Sequence, residues 1–306
     1  MQLQLHSKIE APPGMAACAH GVAASGDVIN LYVAQDKAAS LSQRDSTGMF
    51  LNTATDKPYD GIVEVCSRYA GTRRAICGAT ATLPQVQMLP DGEALIVAPR
   101  CRRKNADDIE QNATVFAPDG TIAQRFCLGD GIEDVQVSAK GDLWVSYFDE
   151  GVIGNYGWKH PMGANGLVRF NSHGERQWGF TPEVILDCHA LNVAADCVWA
   201  YYYTEFELAR IDADGSIKRW PTAIRGATAV AVGAHAVLFA GGYATKQLSE
   251  ANLCLWQKGQ LSKPAPIELA IDNADVNQAK WLGARGSALY AAAQDAWYML
   301  DIRTLR

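Results

Sequence analysis

The chain has 306 residues, of which 48% are hydrophobic and 20% charged, and a net charge of −6. That apolar share is enough for a substantial core and excludes a disordered chain, and the acidic balance argues against nucleic acid as a partner. No apolar run approaches the roughly 20 residues of a membrane span, and the N-terminus lacks the pattern of a secretory signal.

The expectation is therefore one cytoplasmic domain, 1–306, monomeric and without a membrane partner. Its eight cysteines are scattered and form no CxxC pair, which argues against a structural zinc site and for reduced, mostly buried thiols.

Taken in chain order, a recurring unit emerges: a β-prone run, a Gly, Asp or Asn turn, and a second β-prone run. It reads GVAASGDVINLYV at 21–33, QVQMLPDGEALIVA at 85–98, DVQVSAKGDLWVSY at 134–147 and ALNVAADCVWAYYY at 190–203. It returns as AVAVGAHAVLFAGG at 229–242 and AKWLGARGSALYAAA at 279–293. Each copy reads as a hairpin of strands a and b. A second hairpin, strands c and d, follows at 114–126, 167–180, 209–220 and 253–262, with Gly at the turn, where positive φ is cheap. A less clear pair lies at 63–76.

Six such repeats predict an all-β fold, a six-bladed β-propeller of four-stranded antiparallel blades. A β-sandwich is the alternative, and it fits six matching units poorly. The sixth repeat offers strand c at 296–302 and no strand d. The unpaired β-prone run at 3–9 is expected to pair there and close the ring, removing an open sheet edge.

In a meander, the a–b and c–d turns share one face and the b–c loops share the other. The b–c loops are long at 34–61, 99–112, 148–165 and 243–252, so one face carries the elaboration. Long loops on a rigid scaffold carry function more often than not, although they also shield sheet ends. The run Arg100, Arg102, Arg103 and Lys104 reads either as an anion contact or, preferably, as a solvated loop balanced by Asp107, Asp108 and Glu110. The richest stretch, 147–167, offers Asp149, Glu150, Asn155, Tyr156, Trp158 and His160. With Arg103 and Asp187, these are the candidate ligand-binding residues. The aromatics suit stacking or anchoring a partner, and equally suit packing the loop down.

GDLWVSYFDEGVIGNYGW followed by GLVRF resembles a bacterial propeller family with a YFDEGVxGNxGW motif, as do DCHALNV and the Tyr201–Tyr203 run. The likeness covers most of blades three to five. It implies a propeller fold and brings no activity and no catalytic residue.

Strand a of each blade is expected to line a central channel, with polar residues near its start: His20, Gln85, Glu133, Asp134, His189, Asn192 and Asn277, preceded by Asp130 and Asp187 in two blades. One reading is a divalent metal, Ca or Mg in preference to Zn, which would activate water. Six-bladed lactonase-type and phosphotriesterase-type propellers resemble this arrangement, but their Glu-Gly-Pro opening is replaced here by Cys18-Ala19-His20-Gly21. The other reading is a hydrated channel mouth. The catalytic candidates are Glu133, Asp134, Asp149, His20 and His189. Function is read first as a recognition module offering its loop face to a protein or small polar ligand. A metal-assisted hydrolase or lyase is second, and a bare scaffold third.

Overall fold

The structure is a computed structural model that describes residues 1–44, 51–181, 183–243, 250–271 and 275–305. Six antiparallel sheets follow one another, and the fold class is the six-bladed β-propeller. After β1 (Gln2–Lys8), the first blade is β2 (Met15–Val22), β3 (Val28–Ala34), β4 (Ala54–Cys66) and β5 (Gly71–Ala81). The second is β6 (Gln85–Met88), β7 (Ala94–Val97), β8 (Ala113–Phe116) and β9 (Ile122–Phe126). The third is β10 (Ile132–Val137), β11 (Leu143–Tyr147), β12 (Leu167–Phe170) and β13 (Arg176–Gly179). The fourth is β14 (Asp187–Val193), β15 (Cys197–Tyr203), β16 (Glu207–Asp212) and β17 (Ile217–Pro221).

The fifth blade has β18 (Ala229–Val232), β19 (Ala236–Ala240) and β20 (Glu250–Gln257), which pairs with both β21 (Gln260–Leu261) and β22 (Ala265–Glu268). After β23 (Ala270–Ile271), the last blade is β24 (Ala279–Arg285), β25 (Ala288–Ala293) and β26 (Ala296–Asp301). Its fourth strand is β1, antiparallel to β26 with Leu5 opposite Tyr298, as the unpaired N-terminal run predicts. β23 adds a short parallel pairing on the far side of β1.

The strands group into two compact units, Glu10–Asp187 with the first three blades, and Met1–Ile9 with Cys188–Arg306 holding the others. Within each blade, burial falls from strand b to strand d. β7 (ALIV) and β19 (AVLFA) are buried at every position and read as solid apolar runs rather than alternating ones, and β11 (LWVSY) is buried throughout with one polar residue, Ser146. The d strands β9 and β13 are largely exposed and polar.

One turn recurs six times. At 23–27, 89–93, 117–121, 138–142, 171–175 and 212–216, the first residue's N–H donates to the fifth's carbonyl, and the fourth is a glycine at positive φ. This is the three-residue hairpin whose left-handed position disfavours any side chain.

The first b–c loop is shorter than expected, because β4 starts at Ala54. Residues 45–50 and 244–249 of two loops lie outside the described residues. Strand a of the first blade begins at Met15, so His20 sits towards its end rather than at its start. Ala16, Ala17 and Ala19 carry little β propensity, and a register shift between Ala17 and Ala19 hides the alternation.

Candidate functional site

Three long b–c loops of the Glu10–Asp187 unit bind one another. Tyr156 Oη donates to the Leu51 carbonyl at 2.9 Å, Thr53 Oγ1 to Glu110 Oε1 at 2.9 Å and Trp158 Nε1 to the Cys101 carbonyl at 2.8 Å. The Arg103 amide donates to the Tyr156 carbonyl at 2.9 Å. Loops of blades one, two and three thus form one continuous layer.

Arg100 lies at the centre of that layer. Its guanidinium is 3.0 Å from Asp130 and 2.5 Å from Glu150, and its side chain is only 9% exposed. It lies over the Tyr156 ring, 4.3 Å from the centroid, with Phe148 at 5.3 Å. Asp130 also accepts from the Cys101 amide at 2.8 Å. Burial nevertheless dominates at Asp130 and pushes its carboxyl up to about 6, against the pull of Arg100 and two backbone amides. Gly131 and Gly151 pack backbone to backbone here, and a Cβ on Gly131 would overlap the Gly151 amide.

The loop 148–165 opens on the short helix α1 (Asp149–Ile153). Glu150 is tied to Arg100 and to Asn155 Nδ2 (2.8 Å), and Tyr156 takes a left-handed φ of 45° beneath the guanidinium. Trp158 is buried, with Arg103 5.4 Å from its ring centroid. Glu150, Asn155, Tyr156, Trp158 and Arg103 therefore assemble the loop layer, while Asp149 and His160 are exposed on it.

Carboxylates gather in the same unit. A register shift between Ile132 and Asp134 makes Glu133 an extra residue, so strict alternation ends where two acids adjoin. Glu133 keeps solvent access, yet protein atoms crowd its carboxyl. Desolvation, then the charges of Asp187 and Asp134, push it up to about 7. Asp187 is raised to about 6 by burial and then by Asp149. Asp134 accepts from Gln136 Nε2 at 3.0 Å. Among the described residues, no group of three or more His, Cys, Asp or Glu is placed to hold a metal ion.

The two histidine candidates are held differently. His20 Nδ1 is 3.0 Å from Asn30 Oδ1, and Asn30 in turn donates to Glu64 at 3.2 Å. His189 belongs to the Cys188–Arg306 unit, where its Nε2 is 2.7 Å from Tyr243 Oη and its ring stacks on Phe206. Burial holds its imidazole below the ordinary range, which favours the neutral form.

Arg100 departs from the solvated loop its sequence suggests, whereas Lys104 does pair with Asp108 on the surface, at 3.2 Å. The signal for Arg100 was its place directly after the apolar run ALIVAP, facing a GDG turn that carries Asp130. On the turn side of the unit, a groove of about 420 Å³ is lined by Val65, Met88, Leu89 and Pro90 with Arg74, and none of the candidates reaches it.

No family model matches the chain, and no curated protein matches it. Among solved structures, BamB from Moraxella catarrhalis is similar over 97% of this chain and 95% of its own, with 9% identity and a TM-score of 0.50. A virginiamycin B lyase from Staphylococcus aureus (10% identity, 99% and 90% covered, TM-score 0.48) and Kluyveromyces lactis Hsv2 (10%, 90% and 70%, 0.49) are also similar. At such identity, the likeness to BamB speaks for the propeller fold alone.

Proposed function

We propose that this protein is a recognition module whose interlocked loop layer binds a cationic group, on a small polar ligand or on the basic segment of a protein partner. The observation that carries this reading is Asp149 on the fastened third loop, whose charge acts on Asp187, which with Asp134 in turn acts on Glu133. Carboxylates that raise one another's proton affinity are relieved by an ammonium or guanidinium, and a pre-ordered layer lowers the entropy cost of binding. The FDEGVIGNYGW run, which resembles a bacterial propeller family, supplies the central loop.

Calorimetry with agmatine and with an arginine-rich peptide tests it. Binding should release protons at pH 6–7, as Glu133 and Asp187 ionise, and Asp149→Asn/Asp187→Asn should weaken it at least tenfold. Failure of both probes to bind, or unchanged affinity in the double variant, overturns the reading.

A second reading places proton-transfer chemistry of a hydrolase or lyase at the same carboxylates. It is favoured by the solvent-accessible Glu133, whose carboxyl desolvation and the charges of Asp187 and Asp134 push up to about 7, where a general acid–base works best at neutral pH. Under it, Glu133→Gln abolishes turnover of a bound ligand while leaving its affinity nearly intact. Loss of affinity without any turnover in the wild type returns Glu133 to recognition.

A further inference from the structure

Beneath the loop layer, two thiols meet. Cys101 Sγ and Cys127 Sγ are 3.6 Å apart, although 26 residues separate them in the chain. Cys101 is fully buried at the start of the second blade's b–c loop, and its backbone is fixed at both ends, by Asp130 at its amide and Trp158 at its carbonyl. Cys127 follows β9, keeps partial solvent access and accepts from the Gly129 amide at 3.3 Å.

We propose that Cys101 and Cys127 are a redox modification site, a dithiol that closes reversibly to a disulfide by exchange with a low-molecular-weight disulfide. The site goes beyond the recognition reading and does not depend on it.

The geometry divides the roles. Cys127 is the attacking residue, because of the two it alone keeps partial solvent exposure. The Cys101 thiol, the Gly129 amide and the Arg103 charge favour its thiolate against burial and the Glu110 charge, and hold its pKa below the ordinary thiol value. Cys101 is driven far up, first by its bond to Cys127 and then by burial, so it stays a thiol until its turn. Cys18 (about 12) and Cys66, Cys197 and Cys254 (about 11) are raised mainly by burial and are poor nucleophiles.

In the first step, the Cys127 thiolate attacks one sulfur of the small disulfide. A Cys127–S–S–R bond forms, the small S–S bond breaks, and one thiolate leaves and takes up a proton from solvent. In the second step, Cys101 attacks Cys127 Sγ and its proton passes to the second small thiolate, which is expelled as a thiol. The protein loses two electrons and two protons, and the small disulfide becomes two thiols. The sulfurs need to approach from 3.6 Å to about 2.05 Å.

The test equilibrates the purified full chain with graded ratios of oxidised to reduced glutathione, quenches it with an alkylating agent, and maps non-reduced peptides by mass spectrometry. The expected result is a single 101–127 cross-link that consumes two titratable thiols and reverses with dithiothreitol. Cys101→Ser should accumulate a glutathione adduct on Cys127, and Cys127→Ser should leave Cys101 unmodified. All eight thiols surviving in the wild type, or a cross-link between any other pair, overturns the proposal. An adduct on Cys101 in Cys127→Ser overturns the assigned order. If either variant fails to fold, the wild-type cross-link decides alone.

Discussion

Glu64 sits at the middle of a row that crosses the first blade. His20 on β2, Asn30 on β3, Glu64 on β4 and Arg73 on β5 are directly opposite one another in register. Asn30 and Tyr32 donate to one carboxylate oxygen and Arg73 Nε to the other, the last two at 2.6 Å. Burial alone would raise this carboxyl, but the three donors outweigh it and hold it below its ordinary value. A group depressed in the folded state stabilises the protein above its unfolded pKa and loses that contribution as pH falls. Glu64→Gln is therefore expected to cost about 1–3 kcal/mol at pH 7, with the gap to wild type narrowing below roughly pH 4.5, read by urea denaturation. Arg100 is a stricter case, because it neutralises a carboxylate with 1% exposure. Arg100→Met strands Asp130 and is expected to cost about 3–5 kcal/mol by the same measurement. Neither role was legible in the sequence. The positions 20, 30, 64 and 73 share no spacing, and only the strand register aligns them. Arg100 looked like one member of a basic run.

Leu3 anchors the element that completes the last blade. It has no exposure and packs with Leu238, Leu289 and Ile271, while β1 pairs with β26 on one side and β23 on the other. This closure was legible, since six a–b units and a missing last strand leave only one partner for the N-terminal run. Leu3→Ala is expected to cost about 2–5 kcal/mol. Deleting residues 1–9 should leave β26 as an open edge, with its amides losing hydrogen-exchange protection and the protein self-associating in ultracentrifugation. Full protection of 296–301 in the truncated chain would show that β26 does not depend on β1. The bulge at Glu133 was not legible, because an extra residue in a strand leaves no compositional trace. Strict alternation would have sent Glu133 and Asp134 to opposite faces. The early start of β2 leaves little trace for a related reason, since alanine gives little strand signal.

Across the whole molecule, the titrating groups fall into two sets with opposite signs. Asp130 and Asp187 (each about 6) are raised chiefly by burial, and the solvent-accessible Glu133 (about 7) by desolvation of its carboxyl and then by the charges of Asp187 and Asp134, so the folded protein holds their protons more tightly than the unfolded chain. Their contribution is full below the ordinary carboxylate range and is lost as pH rises through 6 to 7. For Asp130, the one nearly inaccessible to solvent, the loss is on the order of 2–3 kcal/mol. Glu64, Glu150 and Asp301 behave oppositely. Burial is outweighed at each by hydrogen bonds, and their contribution fades as pH falls below about 4.5. The candidate site was thus half legible: the acids were named, but not the crowding that shifts them, which depends on loops that only the folded chain brings together. The two sets bracket a window. Melting temperature is expected to peak near pH 4.5 and to fall as pH rises to about 7, with net proton release on unfolding at neutral pH. In Asp130→Asn, the fall between pH 5 and 7 should be shallower than in wild type. A wild-type optimum at pH 8, or an unchanged slope in Asp130→Asn, would mean that Arg100 keeps Asp130 ionised throughout and that the ion pair, not burial, governs that carboxyl.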